Sequence, residues 1–360
     1  MFTFLPITLL LYYVSPRILK NSVLLIASLI FYAWGEPIYV FLMMGTIIVD
    51  YLLAILIDKN RHEEGKCKSI FILTIILNVS ILGFFKYFGF FVNNINSIFN
   101  LNIPFDGLAL PIGISFYTFQ VLSYIVDVYL GKVEVQYNLI NFATYVTMFP
   151  QLVAGPIVQY QTIEDQLNTR QESIVKFGEG VERFIQGLGK KVLLANNIGM
   201  LWTTVSAMDT SSISVLTAWL GIIAYTFQIY FDFSAYSDMA IGLGKMFGFE
   251  FMENFNYPYI SRSVTEFWRR WHISLGTWFR EYIYIPLGGN RVSVPKQIRN
   301  IFVVWALTGL WHGANWNFVV WGLYYGILLL IEKFVLKSFL EKVPDSIKHI
   351  YTMLFVIVGW

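Results

Sequence analysis

GLWHGANWNFVVWGLYYG, residues 309–326, decides what kind of protein this chain is. Between Arg299 and Glu332 there is no lysine, arginine, aspartate or glutamate, and His312 is the single histidine. Apolar sequence of that extent reads as membrane-embedded. An ionisable group inside it is costly and is a functional-site candidate by default. Counted from Arg299, His312 lies about 13 residues in, roughly 20 Å along an ideal helix. Gly309 and Gly313 flank it, so the backbone there can pack closely or turn. If the helix continues, Asn315 and Trp316 fall on the same face. Two readings stand: a structural histidine bonded across helices, or a neutral imidazole serving as general base on a hydroxyl.

Upstream, FWRRWHISLGTWFREYIYIPLGG at 267–289 holds His272 among tryptophans and arginines. The longer stretch SRSVTEFWRRWHISLGTWFREY predicts a helix. Ser263 is its N-cap and Glu266 stands at the capping-box spacing. Trp268, Trp271, Trp278 and Tyr282 give it an aromatic surface, while Arg269, Arg270 and Arg280 can reach phosphates. An interfacial anchor explains such a stretch without any chemistry. His272 is either a second catalytic group or a wall of the same cavity. His62, in a charged loop, reads as surface, and His349 beside Lys348 as a membrane-edge residue. Gln228, Asp232, Ser234, Ser237 and Asp238 interrupt the apolar run YTFQIYFDFSAYSDMAIGLGKMFGF; if buried, each needs a partner or a wet cavity. The two histidines with Asp232 and Asp238 share no ligand spacing such as HExxH, so no metal is expected. GLG at 242–244 lacks the GxGxxG pattern and a preceding strand, which excludes a dinucleotide fold.

Composition agrees with the membrane reading. Apolar residues make up 56% of the chain and charged residues 13%, against about a quarter charged in soluble domains. The net charge of +2, spread along the chain, excludes a nucleic-acid partner. Cys67 is the only cysteine; lying in DKNRHEEGKCKS, it is expected to be a free thiol on a wet loop. Apolar segments fall at 2–15, 22–34, 38–57, 70–92, 108–129, 138–157, 181–200, 213–231, 300–311, 316–336 and 351–360. Several are too short to span a bilayer and, with breaks at Gly35–Pro37, Pro111, Pro150 and Pro156, predict re-entrant or tilted pieces. The first segment lacks a basic leader and a small-residue cleavage site, so it is expected to be retained. The last, YTMLFVIVGW, is shorter than the ~20 residues of a span and is expected to continue past Trp360. Residues 1–360 thus read as a single membrane domain truncated at its C-terminus. Basic residues concentrate in 58–68 and 245–299, which the positive-inside rule makes cytoplasmic. Within the domain, 245–299 reads as a cytoplasmic-facing re-entrant or interfacial subregion.

Five runs together resemble the membrane-bound O-acyltransferase family, in particular its bacterial alginate O-acetylation branch. They are PIGISFYTFQVLSYIVDVY (111–129), YVTMFPQLVAGPIV (145–158), FDFSAYSDMAIGLGKMFGF (231–249), NFNYPYISRSVTEFWRRWHISLGTWFREYIYIPLGGNR (254–291) and LTGLWHGANWNFVVWGLYYG (307–326). The resemblance implies an all-α polytopic protein with a ring of transmembrane and re-entrant helices around a central tunnel. It implies an O-acetyltransferase of the bacterial cytoplasmic (inner) membrane. His312 matches the family's essential histidine and His272 its usual second histidine. The donor it implies is acetyl-CoA, a substrate rather than a resident cofactor. Arg269, Arg270, Trp268, Arg280 and Asn315 are the residues expected to bind it. Implied partners are membrane lipids, an extracytoplasmic acetyltransferase of the SGNH-hydrolase type and, indirectly, a polysaccharide acceptor. D-alanyl transfer from a carrier-protein thioester to teichoic acid is the nearest alternative. A transporter without chemistry also accounts for polar groups among broken helices, but no internal repeat is evident.

Overall fold

A computed structural model describes residues 3–105, 107–209, 211 and 213–360. The described residues are helical, with no β-strand among them. Five helical segments are long and apolar enough to cross a membrane: Arg17–Gly35, Tyr39–Lys59, Glu64–Phe99, Val215–Met246 and Trp316–Leu340. The chain is therefore an all-α, multi-spanning membrane protein. It divides into two compact units, Met1–Phe177 with Gly244–Phe251, and Gly178–Leu243 with Met252–Trp360.

The first unit contains α1 (Phe4–Val14), α2 (Arg17–Gly35), α3 (Tyr39–Lys59), α4 (Glu64–Phe99), α5 (Ile114–Tyr129), α6 (Leu139–Thr147), α7 (Phe149–Leu152) and α8 (Tyr160–Thr169). The predicted start of the first segment at Phe2 lies outside the described residues. Pro16 precedes α2 with φ −62°, and the helix breaks between Gly35 and Tyr39, as the Gly-Glu-Pro sequence predicts. At the N-cap of α5, Gly113 has φ +75°, and a Cβ there would lie 2.8 Å from the Leu152 carbonyl oxygen. Only glycine satisfies both demands. Polar ties fix the unit's wet edge. The Tyr12 hydroxyl lies 2.6 Å from Glu172 Oε1, and Arg170 Nε donates to the same hydroxyl at 3.0 Å. Lys20 pairs with Glu172 at 3.0 Å.

The apolar segment at 70–92 lies inside a longer helix, Glu64–Phe99, because polar residues at both ends continue it until Asn100 turns left-handed at φ +50°. One expectation fails here. Cys67 therefore sits in the first turns of α4, not on a wet loop. It is 7% exposed, and its thiol faces the Ile57 carbonyl of α3 at 3.6 Å.

The second unit takes α9 (Ile174–Gly189) from Gly178 onward, a π-helical continuation (Lys190–Ala195), α10 (Asn196–Ser206) and α11 (Val215–Met246) as far as Leu243. There follow α12 (Val264–Arg270), α13 (Ile273–Phe279), α14 (Val294–His312), α15 (Trp316–Ile331), α16 (Lys337–Leu340) and α17 (Asp345–Gly359). The polar intrusion at 228–238 does not stop α11, which extends well past the end of the apolar segment at 231. Its carboxylates find cations instead. Asp238, 6% exposed, accepts from Arg183 Nε at 2.8 Å and Lys190 Nζ at 2.5 Å, and Asp232 pairs with Lys191. α14 and α15 form an antiparallel hairpin that crosses at two glycines. A Cβ on Gly309 would lie 2.3 Å from the Phe318 carbonyl oxygen, and one on Gly322 2.3 Å from that of Trp305. Close crossing at small residues is how helices pack where lipid removes the hydrophobic drive.

Candidate active site

The helix expected over the stretch 261–282, with Ser263 as its N-cap, is not continuous. Its start is as predicted: Ser263 Oγ accepts from the Glu266 N–H at 2.9 Å. The Glu266 carboxylate reaches back to the Arg262 N–H, one residue before the cap, at 2.9 Å. The buried carboxylate of Glu332 accepts the N–H groups of Val264 at 2.6 Å and Thr265 at 2.8 Å. α12 then stops. Trp271 is extended, and His272 takes the left-handed conformation with φ +46° and ψ +54° before α13 begins. A left-handed histidine is uncommon, and such residues concentrate at functional sites.

α14 ends on His312, and Gly313 is extended. The condition that would place Asn315 and Trp316 on the face of His312 is therefore not met. Asn315 instead caps α15, its Oδ1 accepting from the Asn317 N–H at 2.9 Å. The chain breaks bring the two histidines together. The His272 ring lies 4.7 Å from Phe233 and 5.8 Å from Trp311. The His312 ring lies 5.1 Å from Trp311 and 4.9 Å from Trp321. Both line one cavity of about 630 Å³, together with Trp268, Arg269, Arg280 and Thr308. That volume suits a small-molecule site. His272 is 3% exposed, and neither ring nitrogen meets a hydrogen-bond partner among the described residues. It lies outside the five spans; burial, with His312 nearby, pushes its imidazole well below the usual range, so it is neutral.

Of the expected donor-binding residues, Trp268, Arg269 and Arg280 line the cavity, whereas Arg270 and Asn315 do not. Arg270 turns along α12, bonding Glu266 at 2.9 Å and the Asn256 carbonyl at 3.1 Å. Asp232 and Asp238 are held by lysines and arginine away from the cavity lining. Among the described residues no three histidine, cysteine or acidic side chains converge as a metal site. His62 is exposed, and His349 Nδ1 lies 3.2 Å from the Ser261 carbonyl oxygen. Sequence reasoning missed much of the wall, including the polar members Thr308, Tyr284 and Asn290. Asn290 Oδ1 accepts from Tyr284 at 2.8 Å and Lys333 at 2.6 Å. The signal was the pair Gly288–Gly289, both at positive φ, whose turn delivers Asn290.

The sequence pattern of the membrane-bound O-acyltransferases matches residues 130–358, which include the whole cavity wall. The chain belongs to the membrane-bound O-acyltransferase family. It is 46% identical to a protein of Pseudomonas aeruginosa named probable alginate O-acetylase AlgI, over all of this chain and 70% of that protein. A peptidoglycan O-acetyltransferase of Helicobacter pylori is 35% identical over all of this chain and 74% of its own length. A teichoic acid D-alanyltransferase of Bacillus subtilis is 28% identical over 64% of this chain and 61% of its own length. This membrane-bound O-acyltransferase is thus a multi-pass enzyme of the bacterial cytoplasmic membrane, close to the alginate O-acetylase branch.

Proposed function

We propose that this acyltransferase takes an acetyl group from cytoplasmic acetyl-CoA and passes it across the membrane for O-acetylation of an exported polysaccharide such as alginate. The observation that carries the reading is the shared cavity: His272 and His312 both pack near Trp311, at 5.8 and 5.1 Å between ring centroids, and Arg269 and Arg280 line the same space. His312 accepts the proton of an acceptor hydroxyl. The oxygen attacks the thioester carbonyl, the C–S bond breaks, and coenzyme A leaves as a thiolate. Neutral His272 contributes a polar contact to the reacting groups. Arg269 and Arg280 suit the phosphates of the donor, and Trp268 supplies an apolar wall. The cytoplasmic side of the donor agrees with the basic stretch 245–299. An extracytoplasmic partner of the SGNH-hydrolase type then places the acetyl group on the glycan. The names of the Pseudomonas and Helicobacter relatives support acetyl as the group and a glycan as its destination.

Membranes holding equal amounts of wild type and His312→Ala, supplied with labelled acetyl-CoA, test this. Loss of a general base costs about 10²–10⁴-fold in turnover; turnover near that of wild type overturns the assignment. The similarity to a D-alanyltransferase supports the second reading. Transfer of D-alanine from a carrier-protein thioester, with no acetyl transfer, would establish it. Passage of label without any chemical transfer would mark a transporter.

A further inference from the structure

His272 follows α12 in a backbone conformation that a side chain with a Cβ avoids, so something outside the turn must hold it there. The segment 254–256 supplies the hold from both sides. The Asn256 N–H donates to the Arg270 carbonyl at 2.9 Å, and the Ile273 N–H donates to the Asn254 carbonyl at 2.9 Å. These two bonds bracket Trp271 and His272. The Asn254 side chain adds a third tie. Its Oδ1 accepts the Ser274 N–H at 3.1 Å and the Ser274 hydroxyl at 2.9 Å. Asn254 is fully buried and Ser274 is 1% exposed, so these bonds are shielded from water. The Ser274 N–H belongs to the first turn of α13, where helix N–H groups lack partners of their own. Asn254 therefore fixes where α13 starts, and with it the peptide units around His272. His272 makes no side-chain hydrogen bond among the described residues. Its ring direction rests on this backbone and on the Phe233 and Trp311 rings.

We propose that Asn254 is a positioning residue: its side-chain oxygen, bonded to Ser274, holds His272 in the left-handed turn that presents its imidazole to the cavity. The inference rests on the acyl-transfer reading of the His272–His312 cavity. It acts through His272 and touches no reacting group. The Asn254 Nδ2 finds no acceptor among the described residues, so the oxygen alone carries the role. Aspartate in its place keeps that acceptor.

A double-substitution cycle on the full chain in membranes, with labelled acetyl-CoA as probe, tests the proposal. Asn254→Ala is expected to lower kcat by about 10²-fold, the cost of a misplaced reacting geometry, with KM within about twofold and normal thermal unfolding. Asn254→Asp is expected to recover most of the turnover. Asn254→Ala combined with His272→Ala is expected to fall no further than His272→Ala alone, because groups acting through one residue are not additive. A double loss equal to the product of the single losses overturns the proposal and makes Asn254 merely structural. So does wild-type kcat in Asn254→Ala, or an Asn254→Asp as slow as the alanine variant. If Asn254→Ala does not fold, Ser274→Ala, which removes one of the two donors, takes its place in the cycle with the same outcomes. Wild-type turnover in His272→Ala would instead count against the catalytic reading of the histidines, independently of Asn254.

Discussion

His272 occupies a left-handed backbone at a cost of ~1–2 kcal/mol for a residue with a Cβ, and the ties from 254–256 offset it. The arginines around it divide in a way that a count of charges does not reveal. Arg269 and Arg280 face the cavity, while Arg270 bonds along its own helix. Removing either cavity arginine should raise the KM for acetyl-CoA about tenfold, the value of one charge-assisted bond to phosphate. The effect should shrink with added salt, because both side chains reach solvent. Arg270→Ala should change KM less than about twofold, since Arg270 lines no part of the cavity and its half-buried guanidinium is spent on Glu266 and the Asn256 carbonyl. Steady-state kinetics at two ionic strengths check all three, and a large KM effect confined to Arg270→Ala would reverse the division.

At the scale of elements, the site depends on where helices stop and how closely they cross. α14 and α15 meet at Gly309 and Gly322, with no room for a methyl group. Gly322→Ala must shift a backbone and should cost about 1–3 kcal/mol. It should also lower turnover, because His312 ends α14. A thermal-unfolding midpoint equal to that of wild type would show that the hairpin yields freely. Glu332 makes a separate tie, from the end of α15 to the first turn of α12. Glu332→Ala orphans two N–H groups, at about 1–3 kcal/mol each. Glu332→Gln keeps an acceptor and should lose less. Denaturation of both variants in detergent checks the order.

For the whole molecule, the charge pattern sets an orientation that labelling can read. The basic stretches 58–68 and 245–299 should face the cytoplasm, and the segment near 102 should face outward. Cys67 is buried, so its background is low, and Cys67→Ala removes it altogether. Single cysteines at His62, Asn102 and Ser293, all exposed, report the sides. An impermeant maleimide on intact spheroplasts should label His62→Cys and Ser293→Cys only after permeabilisation, and Asn102→Cys at once. Immediate labelling of Ser293→Cys would invert the donor's side of entry.

The sequence alone determined that this is a helical membrane protein, because long apolar runs with few charges are measured against solvent and bilayer rather than against neighbours. It also singled out His312 and His272, since an imidazole among apolar and aromatic residues is costly without a use. Helix lengths were legible only in part: polar ends extend α4, and α11 runs through carboxylates because lysines and an arginine reach them. The break at His272 was hidden, as no glycine or proline marks it. It is made by bonds from Asn254, twenty residues earlier in the chain than the Ser274 they reach. The burial of Cys67, the placement of Arg269 rather than Arg270 in the cavity wall and the meeting of the two histidines near Trp311 came only from tertiary structure. Each is a contact between residues whose local sequence permits several outcomes, and packing selects one of them.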